Sequence, residues 1–315
     1  MSVQKPQLIR GIGLLGGALL VLNGMIGAGI FALPSVVAGQ AGILSPWLFL
    51  GAGLLIIVIV LAMAEVSSYF RESGGPALYA TRAFGPLVGF STGWLYYVSR
   101  AAAIAANSNV IATYLGALWS WFDTGTGRTI IILVVCGTLT LVNVMGVKGG
   151  VRTLAFFTFF KLIPLLVMVL LGLQYVSPAA MFPADLPTIV DLGGTSLLLI
   201  YAYVGFESVL IPAGETDKPR TTIPRALIRT VIATGFIYFL IALVYVAVIP
   251  GETSDATLVD VGRILAGPAG AIVMTLAAVF SIGGNLQSTM LAVPRLTLSL
   301  AENHLLPQWF GRIHA

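Results

Sequence analysis

Gly24-Met25-Ile26-Gly27-Ala28-Gly29-Ile30-Phe31-Ala32-Leu33-Pro34 lies inside the first long apolar stretch of this chain, and Gly205-Phe206-Glu207-Ser208-Val209-Leu210-Ile211-Pro212 inside the sixth. In each, a glycine (Gly27, Gly205) is followed seven residues later by a proline (Pro34, Pro212), and the two glycines stand 178 residues apart. Glycine weakens a helix, and proline removes one of its amide donors. Two apolar spans interrupted in the same way are therefore predicted.

Apolar stretches long enough to cross about 30 Å of hydrocarbon fall at 11–38, 45–66, 87–118, 129–147, 154–174, 193–214, 226–249 and 267–299. An offset of 178 carries the second and third spans onto the seventh and eighth. Five spans separate each element from its partner, an odd number, so the halves are expected to be inverted in the membrane. Paired Gly/Pro-interrupted helices in such a repeat point to a transporter binding site. The reading is a single membrane domain over 1–315. It comprises a first inverted repeat at 1–178 (helices 1–5) and a truncated second at 179–315 (helices 6–8), whose remaining partners would fall beyond Ala315.

Composition agrees. Hydrophobic residues make up 58% of the chain and charged residues 9%, with a mean hydropathy of +0.99, whereas a soluble domain carries about 25% charged residues. The lipid bilayer is the expected surroundings. Cys136 is the one cysteine, and His304 and His314 are the only histidines, so neither a disulfide nor a metal site is expected, and no cofactor. The net charge of +4 reflects topology. Lys5, Arg10, Arg71, Arg82, Lys148, Arg152, Lys218, Arg220, Arg225, Arg229, Arg295 and Arg312 all fall on the side of the N-terminus, against Arg128 and Arg263 opposite. The opposite loops carry Asp123, Asp185, Asp191, Glu252, Asp255 and Asp260 instead. By the positive-inside rule both termini face the cytoplasm of a cell membrane, and nucleic acid is not an expected partner.

Three motifs are set aside. Gly11-Ile12-Gly13-Leu14-Leu15-Gly16 fits a dinucleotide fingerprint without the strand or acidic residue it needs. Gly89-Phe90-Ser91-Thr92-Gly93 fits a nucleophile elbow without a strand-turn-helix or a usable histidine. Gly13 and Gly17 signal close helix packing at most. No enzyme constellation is found.

Opening a helix in lipid costs several kcal/mol for each unpaired backbone group, roughly, and is tolerated where those groups line a cavity or hold a ligand. The amides of Gly27, Ala28 and Gly29, with Ile26 and Ile30 beside them, begin a half-helix whose positive end suits a carboxylate. The carbonyls near Tyr201, Ala202, Tyr203, Val204 and Gly205 end one and suit an ammonium. A zwitterionic α-amino acid fits both. Arg100, mid-span 3, is expected either to contact an anionic group or to pair with a partner that the sequence does not identify. Asn107 is expected either to line the cavity or to bond between helices, and Glu207 either to cap freed amides or to belong to a gate.

Gly24 to Phe31 resembles the first-helix signature of the amino acid–polyamine–organocation (APC) superfamily. Ser73-Gly74-Gly75-Pro76, Tyr79, Phe84-Gly85-Pro86 and Gly93-Trp94 resemble its loop between helices 2 and 3. Gly205-Phe206-Glu207, Gly214-Glu215, Pro219 and Ile223-Pro224-Arg225 resemble its helix 6 and following loop, and Pro294-Arg295, Ala301 and Leu305-Leu306-Pro307 the end of its helix 8. The resemblance implies an all-α integral membrane protein with the leucine-transporter-type (LeuT) inverted-repeat transporter fold, incomplete, with about eight of the usual twelve helices. It implies alternating-access transport of an amino acid, sodium-independent, by proton symport or exchange. By resemblance Lys161 on span 5 would touch the opened part of span 1 where sodium-coupled relatives hold their ion, and Phe206 would be an aromatic gate. An inactive partial product of the same family, and a channel, are the alternatives. A channel would want a polar stripe along several helices, whereas polarity here concentrates at two breaks. The choice among basic, branched and small neutral substrates stays open, as does oligomeric state.

Overall fold

The computed structural model describes residues 10–177, 189–249 and 256–311. Lys5, Asp185, Glu252, Asp255, Arg312 and His314 lie outside them, as do the side chain of Asp191 and the boundary expected at 178/179. The helices are α1 (Leu14–Met25), α2 (Gly29–Ala41), α3 (Ser45–Ser68), α4 (Pro76–Phe84), α5 (Pro86–Leu118), α6 (Gly125–Val144), α7 (Val147–Gly172), α8 (Ile189–Ala202), α9 (Pro219–Val248) and α10 (Leu258–Glu302).

Among the described residues, six segments are long and apolar enough to cross a bilayer, where eight were expected. The difference lies at the two breaks. With 12 residues α1 is too short to span alone, as is α8 with 14, and α2 runs on into α3 as one apolar run. The breaks are not twins. Span 1 opens only over residues 26–28, and Pro34 sits inside α2. Span 6 opens more widely: α8 is followed by short 3-10 turns at Phe206–Val209 and Ala213–Glu215, with Pro212 between them.

Two other boundaries move. The first turns of α7 include Lys148 and Arg152, which a hydropathy reading excludes, so the helix starts earlier than expected and Lys161 lies near its middle. α10 begins earlier than expected and breaks at Ala266 and Gly267. Gly267 has φ +66°, left-handed, and Pro268 has no amide to continue the preceding turn.

α9 packs along α3 and α1, and α10 along α7 and α5. Leu54, Leu55, Leu95 and Leu170 are exposed on the outside, a surface that lipid suits. The polar chain ends are tied together. Gly11 and Ile12 donate their amides to the Glu215 carbonyl at 2.9 and 3.0 Å, and the Asp217 amide donates to the Ile12 carbonyl at 2.9 Å. The Glu215 carboxylate takes a two-pronged contact from Arg295 on α10, at 2.7 and 3.2 Å. This clamp joins the N-terminal segment, the end of span 6 and α10.

At the centre the two broken spans cross. A β-carbon on Gly24 would run into the Gly205 carbonyl, and one on Gly205 into the Gly24 carbonyl. Gly205 also has φ +117°, which an L side chain rarely adopts. The Ser208 hydroxyl donates to the Leu20 carbonyl at 3.0 Å and Tyr238 on α9 places its hydroxyl 3.1 Å from both the Met25 and Ala202 carbonyls. One phenol thus serves the C-terminal ends of both half-helices.

Gly24→Ala should therefore lower stability by about 1–3 kcal/mol, the usual range for overpacking, or prevent folding. Gly51→Ala, where a β-carbon meets nothing within 4 Å, should be neutral or stabilising. Thermal unfolding in detergent checks both. Equal melting temperatures would refute the backbone contact.

Candidate functional site

A cavity of about 370 Å³ opens where the two breaks meet α5 and α10. Gly24, Met25, Gly27, Ala28 and Gly29 line it from span 1, and Tyr201, Ala202 and Val204 from span 6. Ser99, Arg100, Ala102, Ala103, Ala106 and Asn107 line it from α5, and Asn285 from α10. Helical spacing puts Arg100, Ala103 and Asn107 on one face of α5.

The opened backbone is largely accounted for by neighbours. The Gly27 amide bonds the Met25 carbonyl at 3.1 Å, and the Phe31 amide the Ala28 carbonyl at 3.1 Å. Ala28, Gly29 and Ile30 stand at the start of α2, where helix geometry supplies no intrahelical acceptor. Lys161 donates from Nζ to the Ile26 carbonyl at 2.8 Å and is fully buried. It is not a lysine reaching for the interface, and it enters no ion pair among the described residues. Ser281 on α10 has its hydroxyl 3.1 Å from the Ile26 carbonyl and 3.0 Å from that of Gly27.

Several expectations are corrected. Ile26, Ile30 and Tyr203 are buried away from the cavity at 0–2% exposure. The Tyr203 hydroxyl donates to the Phe49 carbonyl at 2.8 Å, and Gly53 and Gly235 leave room for its ring. The Ala202 carbonyl faces the Tyr238 hydroxyl, which it shares with the Met25 carbonyl. The Gly205 carbonyl receives the Ser208 amide and hydroxyl at 3.2 and 2.8 Å. Phe206 packs against the central hydrophobic core instead of lining the cavity.

Glu207 and Arg100 find each other. Glu207 Oε2 accepts the Gly205 amide at 2.9 Å, while Oε1 lies 3.6 Å from Arg100 Nη2. That second distance is too long for a hydrogen bond. The Arg100 guanidinium also sits 5.1 Å from the Tyr96 ring centre, within cation–π range, and its Nε is buried with no hydrogen-bond partner.

Asn107 donates to Asn285 Oδ1 at 2.9 Å. Asn285 in turn donates to the Gly24 and Asn23 carbonyls at 2.6 and 3.2 Å. Asn285, Tyr238 and Ser281 escaped the sequence reading, since a single polar residue in an apolar span carries no pattern. Asn285 did have a signal. It stands 178 residues after Asn107, the same interval as between Gly27 and Gly205.

Comparisons with known proteins agree with this architecture. In sequence, the chain is 29% identical to the serine/threonine exchanger SteT of Bacillus subtilis, over 98% of this chain and 72% of that protein. It is 28% identical to the arginine/ornithine antiporter ArcD1 of Lactococcus lactis, over 97% and 64%. It is 29% identical to a gamma-aminobutyric acid permease of Bacillus subtilis, over 94% and 66%. The chain thus spans between 64% and 72% of the lengths of these relatives. In structure, it resembles MhsT, solved in complex with L-phenylalanine, with a TM-score of 0.62 at 14% identity, covering 95% of this chain and 76% of that one. That likeness concerns the fold, which is of the LeuT type. The amino acid permease family model matches residues 12–315, and the chain, a multi-pass membrane protein, belongs to that family within the APC superfamily.

Proposed function

We propose that this protein is a secondary transporter that carries amino acids across the cytoplasmic membrane by alternating access, without sodium, as a proton symporter or exchanger. The observation that carries the reading is the cavity at the two breaks. Its walls include Gly27, Ala28 and Gly29 at the start of α2 and Tyr201, Ala202 and Val204 at and just past the end of α8. Helix starts favour carboxylates and helix ends favour cations. A zwitterion can lie between them with both charges answered by backbone. The Val204 carbonyl is the first candidate for the ammonium, since the Tyr201 carbonyl accepts the Val204 amide at 3.1 Å and that of Ala202 faces the Tyr238 hydroxyl.

Sodium independence rests on Lys161 and Ser281. The Ile26 and Gly27 carbonyls with the Ser281 hydroxyl are oxygen donors of the kind a small hard cation takes, and the Lys161 amine holds one of them, the Ile26 carbonyl, at 2.8 Å. A proton carried there would couple uptake to the pH gradient. An exchanger would need none.

The repeat reading, with its inverted halves at 1–178 and 179–315, is part of the same proposal. The 178-residue interval between Asn107 and Asn285 supports it. So is the orientation, with both termini and the 215–229 segment cytoplasmic, which the charge bias supports.

Three experiments test this. Ala28→Val should abolish amino acid binding to the purified protein, because a branched side chain would cover the α2 amides. A dissociation constant within about twofold of the parent would count against a backbone-held carboxylate. Uptake into proteoliposomes should be indifferent to replacing sodium with choline, and Lys161→Ala should lose transport while the protein still reaches the membrane. Sodium-dependent uptake, or normal transport by the variant, would remove Lys161 from the mechanism. For orientation, with Cys136 replaced, an impermeant thiol reagent outside cells should label Asp123→Cys and miss Lys218→Cys. The opposite pattern would invert the topology.

A further inference from the structure

We propose that the cavity selects amino acids bearing a second, side-chain carboxylate, and that Arg100 receives it. The inference rests on the amino acid site proposed above and names its substrate class.

A guanidinium carries five N–H donors in a planar fork shaped for a carboxylate. In this protein that fork is poorly occupied. Among the described residues its one anionic contact, to Glu207, is 3.6 Å long, its Nε is buried without a hydrogen-bond partner, and the Tyr96 ring at 5.1 Å offers only a π face. Arg100 nonetheless lines the cavity, with its side chain 16% exposed. Glu207 cannot readily close the gap, since its other oxygen holds the Gly205 amide at the break. Arg100, ion-paired at long range with Glu207 but with hydrogen-bond donors to spare, therefore faces the same cavity as the start of α2.

The rest of the wall agrees. Beside Arg100, α5 presents Ala102, Ala103 and Ala106, which leave room, while Asn107 and Asn285 add polar atoms to the wall. A branched or aromatic substrate would press apolar surface against a charged group that has lost water, which is costly. A lysine-like substrate would bring a second cation toward Arg100. An acidic amino acid has an answer at each point: its α-carboxylate at the start of α2, its ammonium at the end of α8, and its side-chain carboxylate on the arginine fork, where charge-assisted paired bonds are strongest.

Binding of L-glutamate, L-aspartate, their side-chain methyl esters, L-glutamine, L-leucine and L-lysine to the purified protein tests this. The esters remove the charge and add one methyl group, and L-glutamine removes the charge at nearly constant size. The better acid should bind at least tenfold more tightly than its ester and than leucine or lysine. In Arg100→Gln, the acid-to-ester ratio should fall to about two or less. The ester series needs no variant, so the proposal is decided even where Arg100→Gln fails to fold. An acid bound no better than its ester, with leucine, lysine or glutamine bound well, overturns the acidic preference and leaves the amino acid site standing. Binding of no amino acid overturns both. An acid preference that survives intact in folded Arg100→Gln overturns the role of Arg100.

Discussion

Everything at the centre of this protein depends on two backbones touching without side chains between them. Gly24 and Gly205 approach so closely that neither position has space for a β-carbon. That contact brings the end of α1 against the break of span 6, and thereby places two opened segments side by side. With a larger residue at either position the half-helices would stand apart, and the shared cavity would be lost. Tyr238 depends on the same closeness, because its hydroxyl reaches the Met25 and Ala202 carbonyls together only where the two ends adjoin.

An interrupted helix in lipid must find partners for its freed amides and carbonyls. Here they come from side chains on other helices. α7 supplies Lys161, α9 supplies Tyr238, and α10 supplies Ser281, Asn285 and Ser288, the last donating to the Leu20 carbonyl at 3.0 Å. Hydrogen bonds within a helix are fixed to it, but these link separate bodies. The broken first span is consequently held by α7 and α10 on one side and by span 6 and α9 on the other. The amides at the start of α2 stand outside this arrangement. The carboxylate site proposed above relies on that.

Much of this was legible in the residues. Length and hydropathy located the spans, and the Gly27 and Gly205 motifs located both breaks. What hydropathy missed follows from its nature. A span apolar on every side gives no period from which to read a facing direction, so Tyr203 looked like a site residue although its ring turns away toward α3 and α9. Arg100 announced itself by its charge but not by its partner, since Glu207 lies more than 100 residues further along the chain. Charged residues at helix starts were taken for loop, which started span 5 at 154 where α7 begins at Val147. The two prolines looked equivalent in sequence. Only Pro212 lies in irregular backbone, because Pro34 falls beyond the point where α2 has already begun.

The bond between Asn107 and Asn285 has an implication for descent. A carboxamide is its own complement, donor on one side and acceptor on the other, so an asparagine can pair with a copy of itself across a two-fold axis. Under the repeat proposed above, these two positions are such copies, and the contact between them is homotypic. It is the kind of contact that two separate, identical chains make when they associate back to back in opposite orientations. One amide pair at the heart of the fold would then preserve the seam of an ancestral antiparallel dimer, fused into one polypeptide by duplication. Its two members have since diverged in duty: Asn285 also binds the end of α1, whereas Asn107 faces the cavity.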